Sequence, residues 1–173
     1  MNNKIILFFI LSIVFGCASD DVSYNAKDVN LVTGIELKQY SVDAPLIYGN
    51  PNIKYNDIFI GPNPSNGILK IELLSSGNIQ KIWILSGNVS KQFNSVNFQE
   101  EFSDMVYNES ELESRAIEEF SQVSGTEIIL NLENKGSGYY RVFVKTEEGL
   151  SWNNIVLNTD GSLDIENIEN DWN

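Results

Sequence analysis

The sequence predicts an all-β protein: an antiparallel β-sandwich of about seven strands with one short helical insertion. Apolar residues recur at every second position in several short runs between Asp57 and Leu157, as in Leu69, Ile71 and Leu73 with Lys70 and Glu72 between them. That is the period of a strand with one buried face. Turn formers punctuate the runs at Gly61–Gly67, Ser86–Asn88 and Glu147–Gly149. Hydrophobic residues make up 42% of the 173 positions, enough to build a core. A sheet with one apolar face must cover it, and two stacked sheets cover each other.

The elements follow in order. Lys4 supplies a positive start, and Ile5 to Phe15 is an apolar run too short to span a bilayer as a helix. Residues 1–16 therefore read as a signal peptide. Residues 17–54 read as a linker with an N-terminal extension, in which Leu31-Val32, Ile35, Leu37, Tyr40 and Leu46-Ile47-Tyr48 predict one or two strands. The sandwich is expected over 55–157. Ile58-Phe59-Ile60 opens it, and the turn Gly61-Pro62-Asn63-Pro64-Ser65-Asn66-Gly67 follows. Further strands are expected at Ile68–Leu74, Ile79–Leu85, Val89–Phe93, Glu127–Leu132, Gly138–Lys145 and Leu150–Leu157.

Residues 97–122 interrupt the pattern as an insertion. Ser110-Glu111-Leu112-Glu113 has capping-box spacing, and Leu112, Ala116, Phe120 and Val123 recur at helical intervals, so a helix is expected with its stripe laid on the sandwich. Residues 158–173 form an acidic tail. Trp83, Trp152, Tyr139 and Phe143 suit either an exposed strip for a glycan or protein partner, or a surface covered by the insertion. The second reading is preferred, because the apolar stripe needs something to pack on.

Composition removes several functions. There is no histidine, which eliminates Ser-His-Asp and Cys-His catalysis and His-ligated metal sites. The net charge of −13 opposes a phosphate backbone, so no nucleic-acid partner is expected. Divalent cations or basic partners suit it electrostatically, although acidity also simply keeps a surface protein soluble. The adjacent acids Glu100-Glu101 and Glu118-Glu119 read as solvated faces rather than catalytic pairs. Asn158 to Asp164 partly resembles a calcium loop but lacks the full twelve-residue pattern. No enzyme activity, cofactor or metal is expected.

Val14-Phe15-Gly16-Cys17 resembles a bacterial lipobox, with Phe15 where a small residue is commoner. The resemblance implies lipidation of Cys17, the one cysteine, and an outer-membrane protein held by that lipid. Ser19-Asp20-Asp21 resembles the export tag of Bacteroidetes surface lipoproteins; a solvated tether is the other reading. From 55 to 157 the signals resemble the type A C-terminal sorting domain of the type IX secretion system. The motif residues are Pro62, Asn63, Pro64 and Gly67, then Gly87 in a Leu-x-Gly turn, then Gly138 and Tyr140 in Gly-x-Tyr. That resemblance implies an Ig-like sandwich recognised by a translocon. The chain departs from the family in its insertion and acidic tail, and no cargo enzyme fits between Cys17 and Tyr55. The expected function is therefore that of an interaction module contacting the membrane through Cys17 and another envelope protein or the type IX machinery. A sorting role and a carbohydrate-binding accessory role are the alternatives.

Overall fold

The computed structural model describes residues 28–54, 57–91 and 107–172. Two sheets face one another. The first is three-stranded in the order β4-β5-β9, with β4 at Ile58–Gly61, β5 at Ile68–Leu73 and β9 at Glu127–Asn131. The second is four-stranded in the order β11-β10-β6-β8, with β6 at Ile79–Ser86, β8 at Glu118–Ser121, β10 at Gly138–Thr146 and β11 at Gly149–Leu157. Neighbours within both sheets run antiparallel. The all-β sandwich is the fold the alternating pattern predicts, and six of these seven strands fall where it places them; β8 does not. Ile60, Leu69, Ile71 and Leu130 from one sheet meet Ile82, Ile84, Val142, Val144, Ile155 and Leu157 from the other.

The four-stranded sheet is buried on both faces. Trp83, Leu85, Phe143 and Trp152 point away from the sandwich core and are fully buried too. Two-sided burial is why Ile82 to Leu85 is a continuous apolar run rather than an alternating one. Part of the cover is helix α1, Glu109–Arg115, whose Leu112 lies with Tyr107 and Val29 on the aromatic cluster. Tyr107 meets Phe143 and Trp152 edge-on, with centroids 5.2 and 5.1 Å away. The insertion thus covers Trp83, Phe143 and Trp152, whereas Tyr139 packs against Trp172 instead.

Three details differ from expectation. Helix α1 is capped by Asn108, whose side chain accepts from Ser110 N, so the cap lies two residues before Ser110. The helix also ends at Arg115. Residues 118–121 become strand β8 and pair with β6, because Phe120 is drawn into the sandwich core rather than along a helical stripe. Finally, the strand expected at Val89–Phe93 is reduced, among the described residues, to β7 at Asn88–Val89, which pairs in parallel with β1 at Leu31–Val32.

The segments flanking the sandwich complete the cover. Strands β2, Gly34–Leu37, and β3, Leu46–Gly49, form an antiparallel hairpin. Val32, Ile35 and Leu37 bury Val156 of β11 together with Ile168 and Trp172 from the tail. The tail carries helix α2, Ile165–Asn170, closed by a reciprocal cap between Asp164 and Asn167.

Between these two apolar patches lies a buried polar network. Arg141 is fully buried, and burial pushes its guanidinium down to about 10. Its Nε donates to Asn154 Oδ1 (2.9 Å) and one terminal nitrogen donates to the carbonyl of Asn52. Asn154 Nδ2 donates to Gly34 O (3.1 Å) and to Asn52 Oδ1 (2.9 Å), while Asn52 Nδ2 donates to Leu31 O (2.9 Å). Two neutral side chains thereby join β10, β11 and the base of the β2–β3 hairpin. Removing Asn154 takes one of two acceptors from a buried charge and leaves the Gly34 carbonyl unpaired, so Asn154→Ala is expected to cost about 2–4 kcal/mol. Arg141→Met removes the charge along with its needs and is expected to cost less. Urea unfolding monitored by tryptophan emission checks the order; the reverse ranking refutes this account of the network.

Candidate interaction surface

The β2–β3 hairpin is held at both ends. At its base, Thr33 Oγ1 donates to Asn50 O (2.6 Å) and Asn50 N donates to Thr33 O (2.9 Å). A Cβ at Gly34 would come within 2.5 Å of the Asn50 and Pro51 backbone, so only glycine permits this approach. Towards its tip, Lys38 and Asn63 exchange backbone hydrogen bonds (2.9 and 2.8 Å). The Asn63 side chain is buried and ties three segments: Nδ2 donates to Glu36 O and Asn154 O, and Oδ1 accepts from Val156 N at 2.8 Å.

Beyond Lys38 the chain turns. Asp43 accepts from the backbone of Gln39 (3.2 Å) and Tyr40 (2.8 Å), and its own N–H donates to Tyr40 O (3.1 Å). The one charged residue of the tip is thus spent on its own backbone. The solvent-facing residues are Gln39, Tyr40, Val42, Ala44, Pro45, Leu46 and Ile47, none of them charged. Tyr40 is 70% exposed, Val42 90%, Leu46 50% and Ile47 51%. Four of the ten exposed large apolar side chains among the described residues therefore fall within eight positions, which makes the tip the candidate contact surface.

An open groove of about 320 Å³ runs beside the tip, lined by Gln39, Tyr40, Ser41, Phe59, Gly61, Pro62, Lys70 and Glu72. Gly61 leaves room for the Phe59 ring, which would lie 2.6 Å from a Cβ placed there. The Lys38 ammonium sits 5.6 Å from the centre of that ring. At the far wall Lys70 bridges Glu127 (2.9 Å) and Glu72 (3.0 Å), and those hydrogen bonds hold its ammonium above the usual lysine range. The groove thus combines apolar walls with a paired ionic rim in which one lysine serves two glutamates. A second hollow of about 270 Å³ is lined by Leu73, Ser75, Ser76, Gly77, Thr146, Glu147 and Glu148.

The residues singled out in the sequence fall in different places. Cys17 and Glu100-Glu101 lie outside the described residues. Pro62 lines the groove and Asn63 anchors it from beneath. Pro64 follows in the same turn, where Asn63–Pro64, like Gly61–Pro62, is cis. Gly67 takes φ +110° against Glu133, a conformation that favours glycine. Gly87 ends β6 against Val32, Gly138 opens β10, and Tyr140 packs in the core with its hydroxyl donating to Gly136 O at 2.7 Å. The motif is thus dispersed, and only its Pro62-Asn63 part reaches the hairpin. Glu118 and Glu119 pair with Lys135 and Lys81 on the surface. In the tail, Asp160 is held down to about 2, first by the Ser137 hydroxyl and then by Ser162. The exposed tip at 39–47 was not anticipated as a site. A signal for it exists in the absence of any charged residue between Asp43 and Lys54.

No family model matches the chain, and no curated protein matches it. Two solved structures share a partial likeness. The PmoD soluble domain from Methylocystis sp. ATCC 49242 (Rockwell) is 12% identical, over 61% of this chain and 95% of that one, with a TM-score of 0.33. A DUF3823 family protein from Bacteroides ovatus ATCC 8483 is 10% identical, over 72% of this chain and 67% of that one, with a TM-score of 0.28. Neither assigns the chain to a family. At these scores the likeness carries no argument, and the functional reading rests on the chain's own residues.

Deleting the Asn63 side chain leaves the Val156 N–H and two carbonyls unpaired in a buried site. Asn63→Ala is expected to cost roughly 2–4 kcal/mol, while the exposed neighbour Asn66→Ala costs about 0.5 kcal/mol or less. Hydrogen exchange should show the 38–47 loop opening faster in Asn63→Ala alone; equal protection in both variants refutes the anchoring role.

Proposed function

We propose that the protein is a non-catalytic, lipid-anchored envelope protein whose sandwich presents the hairpin tip at 39–47, with its groove, as a contact surface. The observation that carries this reading is the run of seven outward-facing uncharged residues on a chain of net charge −13. Two buried asparagine clamps hold the hairpin that carries those residues, at Gly34 and Glu36, which favours a preorganised surface. The anchor rests on Cys17, set directly after an apolar run of signal-peptide length. The non-catalytic part rests on the sequence, which has no histidine to serve as a base.

A second reading, a type IX sorting domain, is favoured by one observation: Pro62-Asn63-Pro64, Gly87 and Gly138-x-Tyr140 stand in that family's order. A fluorescent reporter fused to residues 28–173 in a type IX-proficient host separates the two. Release of the reporter to the cell surface supports sorting, and retention in the periplasm removes it.

Replacing Cys17 by Ser is expected to move the protein from the membrane fraction to the soluble fraction after a high-salt wash. Undiminished membrane retention of Cys17→Ser contradicts the lipid anchor.

A further inference from the structure

We infer that the hairpin tip docks onto the uncharged, zwitterionic lipid surface to which the chain is anchored. The inference deepens the reading above and rests on its lipid anchor. Its chemical basis is the composition of the tip. Tyr40, Val42, Ala44, Pro45, Leu46 and Ile47 expose aliphatic carbon and one phenol, the groups that partition into the boundary between headgroups and acyl chains. The charges near that boundary are engaged by the protein itself. The Asp43 carboxylate turns back to two backbone N–H groups, and the Lys38 ammonium lies over Phe59. Pro45 brings no N–H that would need a partner.

Charge also selects among occupants. A second copy of this chain, at −13, is repelled, and so is an anionic lipid surface. A protein partner recognises polar handles as well as apolar area, and the outward face of the tip offers only Gln39 and the Tyr40 hydroxyl. A zwitterionic bilayer asks for neither handles nor countercharge.

The tether makes the geometry feasible. Residues 18–27 separate Cys17 from the first described residue, Asp28. Ten residues reach at most ~33–36 Å. A domain of this size has a radius of gyration of about 15 Å and so a width of roughly 39 Å, and a tether of that reach can bring to the bilayer the faces beside Asp28 and around its flanks, though not the one opposite. Surface chemistry then chooses the face: the acidic sides stay in water and the tip turns inwards.

The test uses the processed chain, residues 17–173, coupled through its Cys17 thiol to a maleimide-bearing lipid in phosphatidylcholine vesicles. Anchoring then does not depend on lipidation in the cell, which the Cys17→Ser fractionation tests separately. Val42→Trp adds a reporter at the tip, and Tyr40→Trp is a second, more conservative one. The native Trp83, Trp152 and Trp172 are buried and give a constant background. With brominated lipids, the added tip emission is expected to shift to the blue and to lose roughly half or more of its intensity to bromine set 5–10 Å below the headgroups. Ser76→Trp, at an exposed position away from the hairpin, should stay unquenched. Replacing part of the phosphatidylcholine with phosphatidylglycerol should weaken the quenching. Tip reporters that keep water-like, unquenched emission in anchored protein overturn the inference. So does a tip shielded only in native envelopes and not in lipid vesicles, which identifies a protein as the occupant.

Discussion

A fully buried guanidinium with no carboxylate in salt-bridge contact, among the described residues, is the constraint on which the flanking architecture depends. Taking Arg141 out of water costs several kcal/mol, and only well-placed acceptors offset that cost. Here the acceptors are neutral: the Asn154 side chain and the Asn52 carbonyl. Each asparagine has further groups to satisfy, and these reach Gly34 O and Leu31 O on the N-terminal segment. The Asn52 carbonyl also accepts from Trp152 Nε1 at 3.0 Å. The need of one charge is thus passed outwards until it fixes the position of a hairpin about a hundred residues earlier in the chain. Apolar contact would hold that hairpin down but is indifferent to a small slide; directional hydrogen bonds set its register. Tyr107 closes the far side of the site. Burial raises its phenol while the Arg141 charge beside it acts against the rise.

The cover over the sheet is layered by strength. Helix α1 is pinned at its rim by Glu113–Lys81, Glu109–Lys145 and Asp28–Arg115. Such exposed pairs contribute at most about 1 kcal/mol each. Leu112 and the edge-on Tyr107 ring, both buried on Trp152 and Phe143, contribute more, because burying one leucine side chain is worth about 1.5–3 kcal/mol. The ion pairs chiefly orient the helix, and the aromatic platform keeps it in place. The tail follows the same rule, with Ile168 and Trp172 buried and Tyr139 Oη donating to Asp171 at 2.6 Å.

What was legible in the sequence tracks what local pattern can encode. The alternation of Leu69, Ile71 and Leu73 identified β5 and its inward face. The run Ile82–Leu85 marked a strand but not that both of its faces are covered, since a continuous apolar run has no inside and outside until a second layer is placed. Phe120 was misplaced because its spacing from Leu112 and Ala116 fits a helix equally well, and the winning contact lies across the sheet at Ile82. The site was less legible still. Asn63 drew notice as part of a turn motif, yet its work is done at Glu36, Asn154 and Val156, remote in sequence. Arg141 sits in a strand that reads as alternating, where a charged residue is ordinarily assigned to solvent. Long-range polar partners leave no periodic trace, so the clamps that present the hairpin are visible only in the fold.

The distribution of charge ties the clamps to the surface they present. Lys70, Lys81, Lys135, Lys145 and Arg115 are each engaged by acids, leaving the surplus of negative charge spread over the remaining faces. Against that surface an uncharged tip is a costly feature to keep in water, because Tyr40, Val42, Leu46 and Ile47 lose the gain of burial. A chain free in solution would have little use for it, since a patch of four side chains binds weakly by itself. Tethering changes the balance. On the lipid-anchored reading proposed above, a short tether would hold the tip at millimolar effective concentration near its partner surface, where weak contact suffices to set orientation. Rigidity then matters more than area, because a floppy loop would repay in entropy what it gained in contact. Asn63 and Asn154 fix the hairpin at Glu36 and Gly34, and on that reading the buried polar network and the bare apolar tip work together.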